Sequence, residues 1–173
     1  MRIDTMQRSM DQSMTVDGAN RTSHAELTLR SRMAELSLVP PWIEQLGAEH
    51  AISASTQFAM NLCLEEVLSN IIRHGYGNNG DRVISVRYAP SQNNSVLLVI
   101  DDEAPHFNPL AAEETPVEET LDGTRIGGLG IRLVRGFAES LKYEPTAAGN
   151  RLIIGFSTAD QPRPASLLCD PPQ

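Results

Sequence analysis

The chain of 173 residues has little that would brace it covalently or carry it through a membrane. It contains two cysteines, Cys63 in an apolar helical run and Cys169 in a proline-rich end segment. Neither a disulfide framework nor a cysteine-ligated zinc site has support, so Cys63 reads as a small buried hydrophobe. No stretch approaches the roughly 20 consecutive apolar residues of a membrane-spanning helix. The first residues, MRIDTMQRSMDQSMTVDGANRTSH, lack the apolar core of a signal peptide. A cytoplasmic protein with no membrane partner is expected. Positive charge is scarce too: 14 Lys and Arg against 22 Asp and Glu leave a formal net charge of −8. Such a surface repels phosphate backbones, which argues against nucleic acid as a partner but not against a nucleotide in a local pocket. Aromatic residues are only 5% of the chain, yet the 40% hydrophobic share suffices for one core.

What is present divides the chain into three parts. Residues 1–24 are polar and without periodicity, and residues 158–173 are rich in proline. Both are expected to be disordered tails around a single domain, 25–157. AELTLRS alternates as a strand does, and RMAELSLVPPWIEQLGAEH predicts a helix with a blurred start. Pro40 and Pro41 suit a first helical turn but not an interior. SASTQFAMNLCLEEVLSNIIRHG is the strongest helix. Ser53 or Ser55 can cap it, Gly75 or Gly77 can stop it, and Met60, Leu64, Val67, Leu68, Ile71 and Ile72 share a stripe. RVISVRYA and SVLLVIDD read as paired strands. Residues 103–126 form a long aperiodic segment, the kind that serves as a lid or binding loop. GGLGIRLVRGFAESLKYE reads as a glycine turn leading into a helix, and NRLIIGFS as a last strand. The expected fold is α+β: a two-layer sandwich of a mixed, mostly antiparallel sheet with helices on one face.

Three polar constellations interrupt this pattern. In LCLEEVLSNIIRHGYG, Glu66 and Asn70 stand four residues apart, so their side chains lie one above the other. A carboxylate and an amide oxygen on one spot suit a hard cation such as Mg²⁺, or a general base beside it. Taken alone, the stretch is explained more simply by a solvated face with weak ion pairs among Glu65, Glu66 and Arg73. In DDEAPHFNP, a strand delivers Asp101 and Asp102 where regular structure ends. A carboxylate there can accept from an exocyclic amine such as that of adenine, or simply shape a turn. In GGLGIRLV, Gly127, Gly128 and Gly130 open a helix whose N–H groups could meet phosphate oxygens, or form a plain turn. Neither a Walker A loop nor a Rossmann fingerprint is present.

Taken in this order, LEEVLSN with IIRHGY, a strand ending in DDEAPHF, a lid and GGLGIRLV resemble the GHKL or Bergerat-fold ATPases, the superfamily with the histidine kinase-like ATPase domain. With the closing LKYEPTAAGNRLIIGF, the chain looks most like the bacterial anti-sigma-factor serine/threonine kinases. That resemblance implies an ATP-dependent, Mg²⁺-requiring protein kinase. Its substrate would be an anti-sigma-factor antagonist, it would also bind a sigma factor, and it would commonly act as a homodimer. Glu66 would match the family's general base, Asn70 its magnesium ligand and Asp102 its adenine-binding acid. Gly128 and Gly130 would match the lid-end glycines at the phosphates. One position departs: the glycine two residues beyond the adenine acid is here Ala104. Alanine is the mildest change, so ATP binding is expected to be retained at reduced affinity. A non-catalytic, nucleotide-dependent protein-binding switch is the alternative. A histidine-kinase module fits less well, because residues 1–24 are too short and unpatterned for a phospho-acceptor helix pair despite His24.

Overall fold

The computed structural model describes residues 25–77, 80–90, 95–111 and 129–158. Where apolar residues alternate, the chain is extended: β1 (Glu26–Arg30), β2 (Val83–Pro90), β3 (Ser95–Asp102), β4 (Ser140–Pro145) and β5 (Asn150–Ser157). They form one sheet in the order β1-β2-β3-β5-β4. Each pairing is antiparallel, so the mostly antiparallel sheet expected holds no parallel pair among the described residues. Side chains of a strand alternate between faces. Ile84, Val86 and Tyr88, then Val96, Leu98 and Ile100, then Leu152, Ile154 and Phe156 all point inward, each 5% exposed or less.

Helices α1 (Val39–His50), α2 (Ala54–Asn70) and α3 (Leu129–Phe137) complete the other layer. A 3-10 turn, Met33–Leu38, leads into α1, and Pro40 and Pro41 fall in its first turn, where no N–H is missed. Ser53 starts α2: its Oγ accepts from the Thr56 N–H at 3.2 Å. Thr56 Oγ1 then donates to the Ser157 carbonyl at 2.9 Å, tying the helix start to β5. On α2, Thr56, Ala59, Met60, Cys63, Leu64, Val67, Leu68 and Ser69 are all buried. Ser69 aside, these positions cover about half of the helix circumference, the side bordered by the sheet, α1 and α3. Truncating one of them, such as Leu64→Ala, would cost about 2–5 kcal/mol.

Two expectations need correction. The stretch from Gly127 to Glu144 is not one turn and one helix. Helix α3 ends at Phe137 and Ser140 opens an additional strand, β4, which forms a hairpin with β5. There the half-buried Leu141 and Tyr143 alternate with the exposed Ser140 and Lys142, a period of two that takes over from the helical period within three residues. Nor does α2 run unbroken to Gly75. After Asn70 the chain widens into a π turn, Ile71–Gly75, closed by the Tyr76 N–H on the Ile71 carbonyl at 3.0 Å. The segments 1–24 and 159–173 and most of the expected lid, with Glu113, Glu114, Glu118, Glu119 and Gly128, lie outside the described residues.

Candidate functional site

The polar residues Glu66 and Asn70 stand near the C-terminal end of α2. Glu66 is half-buried there, and Asn70 is exposed one turn further on. Gly130, in the first turn of α3, lies against both. A Cβ at this glycine would sit 2.5 Å from Glu66 Oε2 and 3.3 Å from Asn70 Nδ2. A side chain here would press on the Glu66 carboxylate and the Asn70 amide and occupy the space beside them. The first turn of α3, the positive end of the helix dipole, is thus brought beside a carboxylate. Glu65, Glu66 and Arg73 form no ion pairs among the described residues, and the Asn70 side chain makes no cap bond. The acid and the amide are left for something else.

Strand alternation parts the two neighbouring aspartates. Asp101 points outward between Arg87 Nη2 at 2.7 Å and Arg151 Nε at 2.6 Å. Burial pushes its carboxyl up, but the hydrogen bonds and charges of Arg151 and Arg87 outweigh this and hold it below the ordinary range. Asp102 points inward and is 8% exposed. Its Oδ1 accepts from the Ala104 N–H at 2.8 Å and from Asn150 Nδ2 at 2.9 Å. Oδ2 takes no hydrogen bond from the described residues. Burial raises the Asp102 carboxyl, the bonds from Asn150 and Ala104 pull it down, and the negative Asp101 adds to the rise, which prevails.

The loop after Asp102 is held from three sides. The Tyr76 hydroxyl, placed by the π turn, accepts from the Glu103 N–H at 2.7 Å and donates to the Val83 carbonyl at 3.4 Å. Asn150 of β5 accepts from the Phe107 N–H at 3.0 Å. Arg135 of α3 donates to the Leu110 carbonyl at 2.9 Å. The Ala104 methyl, expected to weaken nucleotide binding, is buried against the end of the π turn. A Cβ on Gly75 would lie only 2.9 Å from it, so the hollow beside Gly75 accommodates the extra carbon.

Of the residues singled out from sequence, Glu66, Asn70 and Gly130 are therefore adjacent. Asp102 meets the chain beyond α2, where Ala104 packs against Gly75 at the end of the π turn. Gly128 lies outside the described residues. Tyr76, Tyr143 and Asn150 were not singled out. The run LII does not alternate and gave no phase for Asn150; the structure sets it in line with the inward Leu152, Ile154 and Phe156. No group of three or more His, Cys, Asp or Glu side chains among the described residues could hold a metal ion. A carboxylate and an amide oxygen do fit magnesium, which takes few protein ligands and fills its sphere with phosphates and water.

An antiparallel sheet backed on one face by helices is the architecture of the GHKL class of ATPase domain. The chain belongs to this family: the histidine kinase-like ATPase domain matches it over residues 29–156. It is 27% identical over 143 residues to the serine/threonine-protein kinase BtrW of Bordetella bronchiseptica, covering 83% of this chain and 99% of that one. It is 25% identical over 83 residues to the anti-sigma F factor of Priestia megaterium, covering 48% of this chain and 56% of that one. The crystal structure of the RsbU and RsbW domains of a Mycobacterium tuberculosis protein superposes with a TM-score of 0.56 at 15% identity, over 79% of this chain and 32% of that one. At that identity it shows the fold alone. Among the described residues no helix is long and apolar enough to cross a membrane.

Proposed function

We propose that residues 25–157 form an ATP-dependent serine/threonine kinase that phosphorylates an anti-sigma-factor antagonist, and that the same protein binds a sigma factor. The observation that carries this reading is the contact of Gly130 with Glu66 and Asn70, which joins an open carboxylate and amide to a helix start in one place. A relative matched over nearly its whole length bears the name of a serine/threonine kinase, and another that of an anti-sigma factor.

In this reading Asp102 Oδ2 accepts from the adenine amine, and the N–H groups at the start of α3 receive phosphate oxygens. Asn70 would hold magnesium together with those phosphates, and the ion would offset the charge that develops on the transferring group. Glu66 takes the proton of the incoming serine or threonine hydroxyl as its oxygen bonds to the γ-phosphorus. The bond to the bridging oxygen breaks, and ADP leaves.

The test is incubation of the purified chain with labelled ATP, magnesium and candidate antagonists. A phosphoserine or phosphothreonine on the antagonist is expected. Glu66→Ala should retain nucleotide and lower transfer by about a hundredfold or more. Transfer at an unchanged rate in that variant would remove Glu66 from the chemistry. A wild-type chain that binds Mg·ATP and partner without turnover would favour the binding-switch alternative.

A further inference from the structure

We propose that Asn150 is the positioning residue of the nucleobase site: its amide locks the Asp102 carboxylate so that Oδ2 alone is offered to the 6-amino group of adenine. This role rests on the ATP-binding reading above. Asp102 and Asn150 are direct partners at the end of the β3–β5 ladder, on the inward face. Asn150 is 7% exposed in a position where its strand otherwise carries Leu152, Ile154 and Phe156. Packing alone would be met by an aliphatic side chain.

Instead the amide is fully engaged. Nδ2 donates to Asp102 Oδ1 at 2.9 Å and to the Ala104 and Pro105 carbonyls at 3.2 and 3.3 Å. Oδ1 accepts from the Phe107 N–H at 3.0 Å and from the Tyr143 hydroxyl at 2.8 Å. These partners fix the orientation of the amide. Turned over, it would set its oxygen against three acceptors and its NH₂ against the Phe107 N–H. The two Nδ2 hydrogens, shared among three oxygens, leave no donor for a ligand. Nearly all of these bonds reach Asp102 or the loop that follows it, and the hydroxyl of Tyr143 on β4 braces the amide from behind.

The chemical consequence is selective. With Oδ1 occupied by two donors, the carboxylate presents a single acceptor in a set direction. An exocyclic amine can donate to it, whereas a purine carbonyl at the same place meets like partial charge.

The experiment compares the full chain's affinity for Mg·ATP and for the magnesium complex of purine riboside triphosphate, which differs only in lacking the 6-amino group. Calorimetry on wild type, Asn150→Ala and Tyr143→Phe gives the ratio of the two affinities. The wild type should prefer ATP. Asn150→Ala should weaken ATP binding by about tenfold, the scale of a hydrogen bond to a charged group. It should leave the analogue within about twofold, so the preference collapses. Tyr143→Phe, which removes only the bracing hydroxyl, should shift the same ratio in the same direction by a smaller factor, and it decides the matter if Asn150→Ala fails to fold. Equal weakening of both ligands, or an unchanged ratio, would make Asn150 merely structural and overturn the proposal while leaving ATP binding intact. A wild type with no preference for ATP over the analogue would instead remove Asp102 from the base site, and the proposal with it.

Discussion

Asp101 and Asp102 are joined by one peptide bond and yet belong to different parts of the molecule. On the outer face Asp101 is clasped by two guanidinium groups and left partly in water. On the inner face Asp102 is buried, and among the described residues its partners are an amide and one backbone N–H, with no cation. The outer acid has its charge neutralised, which helps hold three strands in register. The inner acid is kept costly, desolvated and half-satisfied, as a group that awaits a donor is. In the proposed reading, the same residue type serves stability or recognition according to the parity of its position.

The sharpest way to break that comparison is to neutralise each acid in turn and measure Mg·ATP binding. Asp102→Asn should weaken binding roughly a hundredfold, near the upper range for a hydrogen bond to a charged group, about 2.7 kcal/mol. The amide would turn an N–H toward the base amine where an acceptor is needed. Asp101→Asn should leave affinity within about twofold, since its side chain points away from the site. Comparable losses in the two variants would mean that the two faces are not functionally distinct.

SVLLVIDD and NRLIIGFS were legible as strands from their short apolar runs. VLLVI and LII do not alternate, however, and it is the structure that sets Asp102 and Asn150 in phase with the inward positions. Glu66 and Asn70 were found by helical spacing. The features missed were those in which a tertiary contact overrides the local pattern. The π turn at Ile71–Gly75 leaves no mark in composition, because residues 71–75 would serve an α-helix as well. Strand β4 was hidden by its closeness to α3, with two residues between them. The pairing of Tyr76 with Glu103 needs that π turn and could not be read before it.

A second way to sharpen the contrast lies in shape rather than charge. The loop after Asp102 is seated by the fit of Ala104 against Gly75, whereas the outer acid depends on ion pairs. Gly75→Ala sets two methyl groups on one spot and should destabilise the fold by about 2 kcal/mol, a drop of several degrees in melting temperature. Adding Ala104→Gly should recover most of that loss, and the double-mutant cycle isolates the contact. Additive losses would mean that the methyl does not occupy the hollow beside Gly75.

The smallest effect is a difference in sign, read from melting curves of the nucleotide-free chain between about pH 3 and about pH 8. For Asp101 the folded carboxyl lies below its unfolded value. Its contribution is therefore present above the unfolded value of ~3.9 and is lost as pH falls through the folded one. Asp101→Asn should lower stability at neutral pH by up to ~1 kcal/mol, the ceiling for a half-exposed ion pair, and the deficit should shrink in acid. For Asp102 the folded carboxyl lies above its unfolded value. Its contribution is present below ~3.9 and is lost as pH rises through the folded value. Relative to wild type, Asp102→Asn should therefore gain stability with rising pH while Asp101→Asn loses it. Parallel slopes would show that burial does not separate the two carboxylates. Opposed slopes, together with the unequal nucleotide affinities, would tie the destabilising charge of Asp102 to its use in binding.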